Sequence, residues 1–280
     1  MDVSVYPGNY RKHANFENGY LDVEAKMIYS KDKGPVKKTV AFDLDETLGN
    51  FSDLFLLWVR IPMLDRTQLT FNRLLDLYPE FPRVGIFAVL QMLKMKILAG
   101  ECRPIYLYTN NQCEPDSWVY FILAYFEIKT GVQFARPICA YKIGNRRVEP
   151  KRSTNAKTYA DFAKCSNLQQ PFELCFIDDR NHTGMRRSRV YYIRPPPYFH
   201  LMTRDDIEDR FNASEFGHQM SAAGVNYSAP TAEWKQQQQI ITNKITYYLR
   251  EFFSMSLLKR GKGRTKKRRQ GFGTRRVHKS

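Results

Sequence analysis

Short, continuously apolar runs alternate along this chain with longer stretches whose apolar residues recur every three or four positions. The first pattern predicts buried strands and the second helices. A strand, TVAFDL, is predicted just after Lys37. Residues 52–81 carry apolar positions at helical spacing, interrupted by Pro62 and closed by Pro79 and Pro82. In VGIFAVLQMLKMKILAG, Ile86, Leu90, Leu93 and Ile97 share one helical stripe, and Gly100 supplies a stop. PIYLYTNN is a β-rich run, residues 116–128 predict another helix, and ARPICAYK predicts a strand leading to a hairpin signal, IGN. AKTYADFAK predicts a short helix, FELCFIDD and SRVYYI two more strands, and the prolines at 195–197 end the last of these. Residues 201–256 are helical and mixed in pattern, with the QQQQ of 236–239 inside a helix over about 231–256. Residues 1–35 show no sustained period and are expected to form a partly ordered extension.

Strands that alternate with helices imply βαβ units, so the expected fold class is α/β: a Rossmann-like three-layer sandwich around a mostly parallel sheet. The expected organisation is an extension over 1–35, a main domain over 36–215, a helical segment over 216–256 and a basic tail over 257–280. Three predicted strands end in polar clusters: Asp43 with Asp45, Thr109 with Asn110, and Asp178 with Asp179. In open α/β sheets the carboxyl ends of the strands are where ligands bind.

The net charge of +16 changes little in this picture, because residues 259–280 hold eleven Lys and Arg and no acid. The remainder has 33 basic and 28 acidic residues, an ordinary globule. The tail has too many like charges to fold, and is expected to be a nuclear localisation signal read by importin or a contact to nucleic-acid phosphates. The five cysteines are scattered without a C-x-x-C pair, so neither a disulfide framework nor a zinc ribbon is expected; Cys102, Cys139 and Cys175 are expected in the core. The N-terminus lacks the apolar segment of a signal peptide, and LFLLWV at 54–59 is too short to span a bilayer, so no membrane association is expected and the protein is expected inside the cell.

Side chains two apart in an extended chain point the same way, so Asp43 and Asp45 project together from a strand end. Carboxylates that close resist joint ionisation unless a cation or a shared proton intervenes. With Asp178 and Asp179 at the same sheet edge, the acids would make an all-oxygen site of the kind Mg²⁺ prefers. A divalent ion among carboxylates suits phosphate chemistry, since it offsets repulsion between anionic nucleophile and anionic substrate. As a bland alternative, Asp43 and Asp45 belong to a turn, and Asp178 and Asp179 cap the segment after their strand.

DLDETL, YTNN, a downstream lysine and FIDD together resemble motifs I to IV of the haloacid dehalogenase superfamily. Within it, DLDETL, PRVGIFAVLQML and Arg136-Pro137-Ile138-Cys139 followed by Lys157 are most similar to the NLI-interacting-factor-like phosphatases, which act on the carboxy-terminal domain of RNA polymerase II. YTNN and FIDDR resemble divergent relatives in large DNA viruses, so a nuclear or viral site of action is implied. The similarity spans about residues 36–200. It implies Asp43 as nucleophile, Asp45 as general acid and then base, and Thr109 and a lysine as partners of the phosphoryl oxygens. It further implies Mg²⁺ held by Asp43, Asp178 and Asp179, with Asp45 contributing its backbone carbonyl.

Lys157, which opens a helix, fits the lysine position in family order, and Lys151 is the alternative. Gly49-Asn50 departs from the family's usual valine and histidine, and the insertion between motifs I and II lacks cap-domain character. The resemblance therefore implies an open-sited phosphoserine/phosphothreonine protein phosphatase with the RNA polymerase tail as its phosphoprotein substrate. A polynucleotide 3′-phosphatase and a non-catalytic binding protein are the other readings. Asn110 is expected to be a turn residue, His182 a loop residue without a role, and Trp118 part of the core.

Overall fold

A computed structural model of the chain describes residues 9–16, 19–26, 28–30, 36–113, 117–217 and 230–260. The central sheet contains β1 (Asn9–Phe16), β2 (Gly19–Lys26), β4 (Lys37–Phe42), β5 (Tyr106–Leu107), β8 (Phe172–Ile177) and β9 (Val190–Arg194), in the order β1-β2-β9-β8-β4-β5. Strands β9, β8, β4 and β5 are parallel; β2 pairs antiparallel with β9, and β1 antiparallel with β2. The class is α/β with a mostly parallel sheet. Two short strands, β3 (Ile28–Ser30) and β10 (Leu258–Arg260), form a parallel pair, and β6 (Lys142–Ile143) and β7 (Arg146–Arg147) form the hairpin signalled by IGN.

The two faces of the sheet are covered by different helices. Side chains alternate across a strand, so Cys175 and Ile177 of β8 join one hydrophobic cluster while Leu174 and Phe176 join the other. The larger cluster gathers α1 (Ser52–Trp58), α2 (Gln68–Leu77), α3 (Ile86–Leu98), α4 (Trp118–Thr130), α6 (Arg204–Asn212) and α7 (Ala232–Ser254). The smaller packs α5 (Tyr159–Ser166) onto the opposite face through Phe162 and Cys165. Helix starts follow the expected capping chemistry: the hydroxyls of Ser117, Thr158 and Thr231 accept from the first-turn amides of α4, α5 and α7. The QQQQ stretch lies inside α7. Trp118 packs at the edge of the larger cluster.

Three expectations need correction. Residues 1–35 are not a partly ordered appendage throughout, because β2 is an integral strand of the central sheet, with Leu21, Val23 and Ala25 buried. ARPICAYK is not a continuous strand; Phe134 and Ile138 make isolated bridges to Ile105 and Tyr108. Cys139 is buried as expected but is not free, since it forms a disulfide with Cys113. That pairing is a product of tertiary structure, made where Ala140 donates its amide to Asn111 O. Cys102, Cys165 and Cys175 are buried free thiols. The tail expected over 257–280 begins with Leu257 in the core and β10; its residues 261–280 lie outside the described residues, as do 218–229 of the expected helical segment. No helix among the described residues is long and apolar enough to cross a membrane.

Candidate functional site

Parallel register delivers three loops to one point. Phe42 lies opposite Leu107 in β5 and opposite Ile177 in β8, so the residues that follow all leave the sheet at its carboxyl edge. The backbone extends the pairing one step further: Asp43 donates to Ile177 O at 2.9 Å, Tyr108 to Phe42 O at 2.8 Å and Asp178 to Ile193 O at 3.2 Å. Strand β4 is also where the chain reverses its winding, with β5 on one side and β8 on the other. A crevice at such a reversal is the usual ligand position in this architecture.

There the structure brings together Asp43, Asp178 and Asp179, whose carboxylate oxygens lie within 4.8 Å of one another. Lys157, not Lys151, stands among them: its Nζ is 2.5 Å from Asp43 Oδ1 and 2.7 Å from Asp178 Oδ2. Lys151 is exposed and donates to Asn167. Thr158 caps α5 and so fixes the residue before it. Asp45 is not one of the three converging carboxylates; it turns to Asn111, whose Nδ2 donates to it at 2.5 Å. Thr109, 1% exposed, receives Asn111's amide on its hydroxyl. Asp43, Asp45, Glu46, Thr109, Asn110, Asn111, Lys157, Arg180 and His182 line a cavity of about 160 Å³. No residue of the 51–82 insertion is among them.

Electrostatics mark the same point. Burial pushes the Asp43 carboxyl up to about 6, against the pull of Lys157. Asp178 is buried too, but Lys157 and His182 outweigh that burial and hold its carboxyl below the ordinary value. Burial raises Asp45 while Asn111 opposes it, and burial together with Asp178 raises Asp179. Three carboxylates around a single ammonium leave an excess of negative charge that one small divalent cation would offset. The donor set is all oxygen, and it fits Mg²⁺.

Sequence reasoning missed the neighbours that hold these groups. Thr47 clamps Asp179, donating its hydroxyl to the carboxylate and accepting the Asp179 amide, each at 3.0 Å. Arg83, 1% exposed, donates to the carbonyls of Thr47, Glu46 and Pro196 and fixes the turn after Asp45. His182, expected to be idle, places Nε2 3.1 Å from Asp178 Oδ2. Asn110 gives its side-chain oxygen to Arg152. Only the position of Asn111, two residues past Thr109 in the same strand-end cluster, was a visible signal.

No family model matches the chain, and no curated protein matches it. Among solved structures, a proposed carboxylesterase from Lactobacillus plantarum is similar at 11% identity and a TM-score of 0.21, over 90% of this chain and 99% of that one. These findings correct the expectation of a phosphoserine/phosphothreonine protein phosphatase acting on the RNA polymerase tail. Neither a family model nor a curated phosphatase answers to the motifs, and that assignment is dropped. A likeness of this size carries no inference about the reaction of this chain.

Proposed function

We propose that the chain is a hydrolase of phosphoric monoesters, with Asp43 as its nucleophile. One observation carries this reading: three carboxylates and a buried lysine converge at the carboxyl edge of a parallel sheet, beside a small cavity lined by Asp43, Asp45 and Lys157. The nine residues lining that cavity include no serine or cysteine. An acyl-transfer mechanism of the Ser-His or Cys-His type therefore lacks its nucleophile there.

In the reaction, an oxygen of Asp43 attacks phosphorus, and the bond from phosphorus to the leaving oxygen breaks. Asp45, its carboxyl raised by burial, gives its proton to that oxygen. Water then attacks phosphorus, Asp45 takes a proton from it, and inorganic phosphate leaves with Asp43 restored. The Thr109 hydroxyl and the Lys157 ammonium face the phosphoryl oxygens, where fixed donors are most effective. Asp43, Asp178 and Asp179 would hold Mg²⁺, which when bound supplies charge neutralisation between nucleophile and substrate.

The experiment is a pair of aryl esters, a phosphate and an acetate, each assayed with Mg²⁺ and with EDTA. Release from the phosphate that depends on Mg²⁺, with none from the acetate, is expected. Cleavage of the acetate alone would overturn the proposal.

A further inference from the structure

Arg152 has no part in the chemistry above, yet it is 1% exposed and stands directly behind the cavity wall. Its Nη1 donates to Thr109 O at 3.1 Å and Cys139 O at 2.6 Å. Its Nη2 donates to Asn110 Oδ1 at 2.8 Å, Asn155 O at 3.0 Å and Ala156 O at 3.4 Å. All five acceptors are amide oxygens. The guanidinium lies over the Tyr108 ring, 5.0 Å from its centroid. The Tyr108 hydroxyl in turn accepts the Thr158 amide at 3.1 Å.

One side chain and the ring beneath it thus join two segments. The first runs from Tyr108 to Asn110 and carries Thr109. The second runs from Asn155 to Thr158 and carries Lys157. Beside it, the Ser153 amide and hydroxyl bond the buried carboxylate of Asp161, which ties the second segment to α5. A planar fork can serve acceptors on two sides at once; an ammonium on a flexible stem cannot hold them in a fixed relation.

We propose that Arg152 is a positioning residue that sets the separation of Thr109 from Lys157, the two groups that would grip the phosphoryl oxygens. The proposal rests on the phosphomonoester reading. Arg152 touches no reacting atom. It acts by keeping two loops in register, and errors of about 1 Å in such a relation cost on the order of a hundredfold in rate.

The test compares the full-length protein with its Arg152→Lys variant in Mg²⁺. It reads kcat and KM on an aryl phosphate, calorimetric affinity for orthovanadate (which takes up the five-coordinate geometry of the transition state) and the melting temperature. Arg152→Lys is expected to lose roughly ten- to a hundredfold in kcat, with KM within about threefold. Orthovanadate affinity should fall by a similar factor. Unchanged kcat and unchanged orthovanadate affinity in a folded Arg152→Lys variant would overturn the proposal, as would losses no larger than its unfolded fraction. If that variant does not fold, Tyr108→Phe removes the second tie; a several-fold loss of both quantities supports the proposal, and no loss overturns it. Wild-type protein that binds orthovanadate but does not hydrolyse the ester would defeat the phosphomonoester reading alone, and the orthovanadate ratio would still decide the role of Arg152. Wild-type protein that binds no orthovanadate defeats both.

Discussion

A lysine–carboxylate centre stands at each end of the same two strands, and the two centres are built to opposite purposes. At the amino edge, Lys38 of β4 stands opposite Glu173 of β8. At the carboxyl edge, five residues further along each strand and so about 17 Å away, stand Asp43 and Asp178. The Lys38 ammonium donates to the carbonyls of Phe252, Phe253 and Met255 at the end of α7. Glu173 accepts the Ser256 hydroxyl and the Leu257 amide, each at 2.8 Å. One positive and one negative charge therefore close on each other and on backbone groups. At the carboxyl edge three carboxylates cluster, two of them on one ammonium, and Asp43 and Lys157 also line a cavity. A balanced buried pair is a clasp. An unbalanced one beside open volume has the charge and the room that the proposed function calls for.

The largest effect that would break this contrast is at the carboxyl edge. Asp43→Asn should lower phosphate-ester turnover by roughly a thousandfold or more, because the nucleophile is gone, while the fold persists. Turnover within tenfold of wild type would remove Asp43 from its role. Lys157→Met should also abolish turnover, and it should make the melting temperature strongly dependent on Mg²⁺, since Asp43 and Asp178 would then lack the ammonium they share. Glu173→Ala at the amino edge should do the reverse. Breaking a buried pair costs about 3–5 kcal/mol, which for a chain of this size is a fall on the order of 10 °C in melting temperature. Its kcat per folded molecule should match wild type; a large loss would mean the two edges are coupled rather than separate.

Acidity gives a smaller test. The Asp43 carboxyl, raised to about 6 from its ordinary 3.8, binds its proton more readily folded than unfolded. Its contribution to stability is complete below pH 3.8 and is lost as pH rises through 6. Moving metal-free protein from pH 7 to pH 5 should therefore stabilise it through Asp43, with Asp45 and Asp179 acting in the same direction. His200, held low by burial against the pull of Asp53, opposes this as pH falls. Comparison with Asp43→Asn isolates the Asp43 share: the acid stabilisation of wild type should exceed that of the variant, and saturating Mg²⁺ should shrink the difference. Equal pH dependence in the two proteins would show that Asp43 is not held under this tension.

The site was legible in sequence where chemistry coincides with strand ends. Asp43, Thr109 and Asp178 each terminate an apolar run, and parallel pairing does the rest. Lys157 could be preferred to Lys151 only by its place before a helix. Arg152 was not legible, because it sits next to Lys151 in a basic stretch and nothing in local pattern says which cation turns inward. His182 was hidden for a similar reason: its contact with Asp178 depends on the turn taken after Asp179. The disulfide was hidden because its cysteines are separated by 26 residues and meet through the Tyr108–Asn111 loop. Strand β2 is different, since its signal was present. Leu21, Val23 and Ala25 alternate with Asp22 and Glu24, and Asn18-Gly19 precedes them, a pattern of half-buried strand that polar composition obscured.

The finest test concerns Asn111, whose role the amino edge has no counterpart for. Burial raises the Asp45 carboxyl, and the bond from Asn111 Nδ2 is the main influence that lowers it. A general acid works best when its pKa lies near the working pH, so under the proposed function this donor would set where the reaction is fastest. Asn111→Ala removes it and should push Asp45 further up. The limb of the kcat/KM profile that belongs to Asp45 should move to higher pH, while turnover at its optimum falls by no more than about tenfold. The shift separates tuning from simple damage, because a misplaced Asp45 would lower the profile without moving it. A profile that keeps its shape, or moves to lower pH, would take Asn111 out of the site's chemistry and leave it as part of the loop that Cys113 and Cys139 hold.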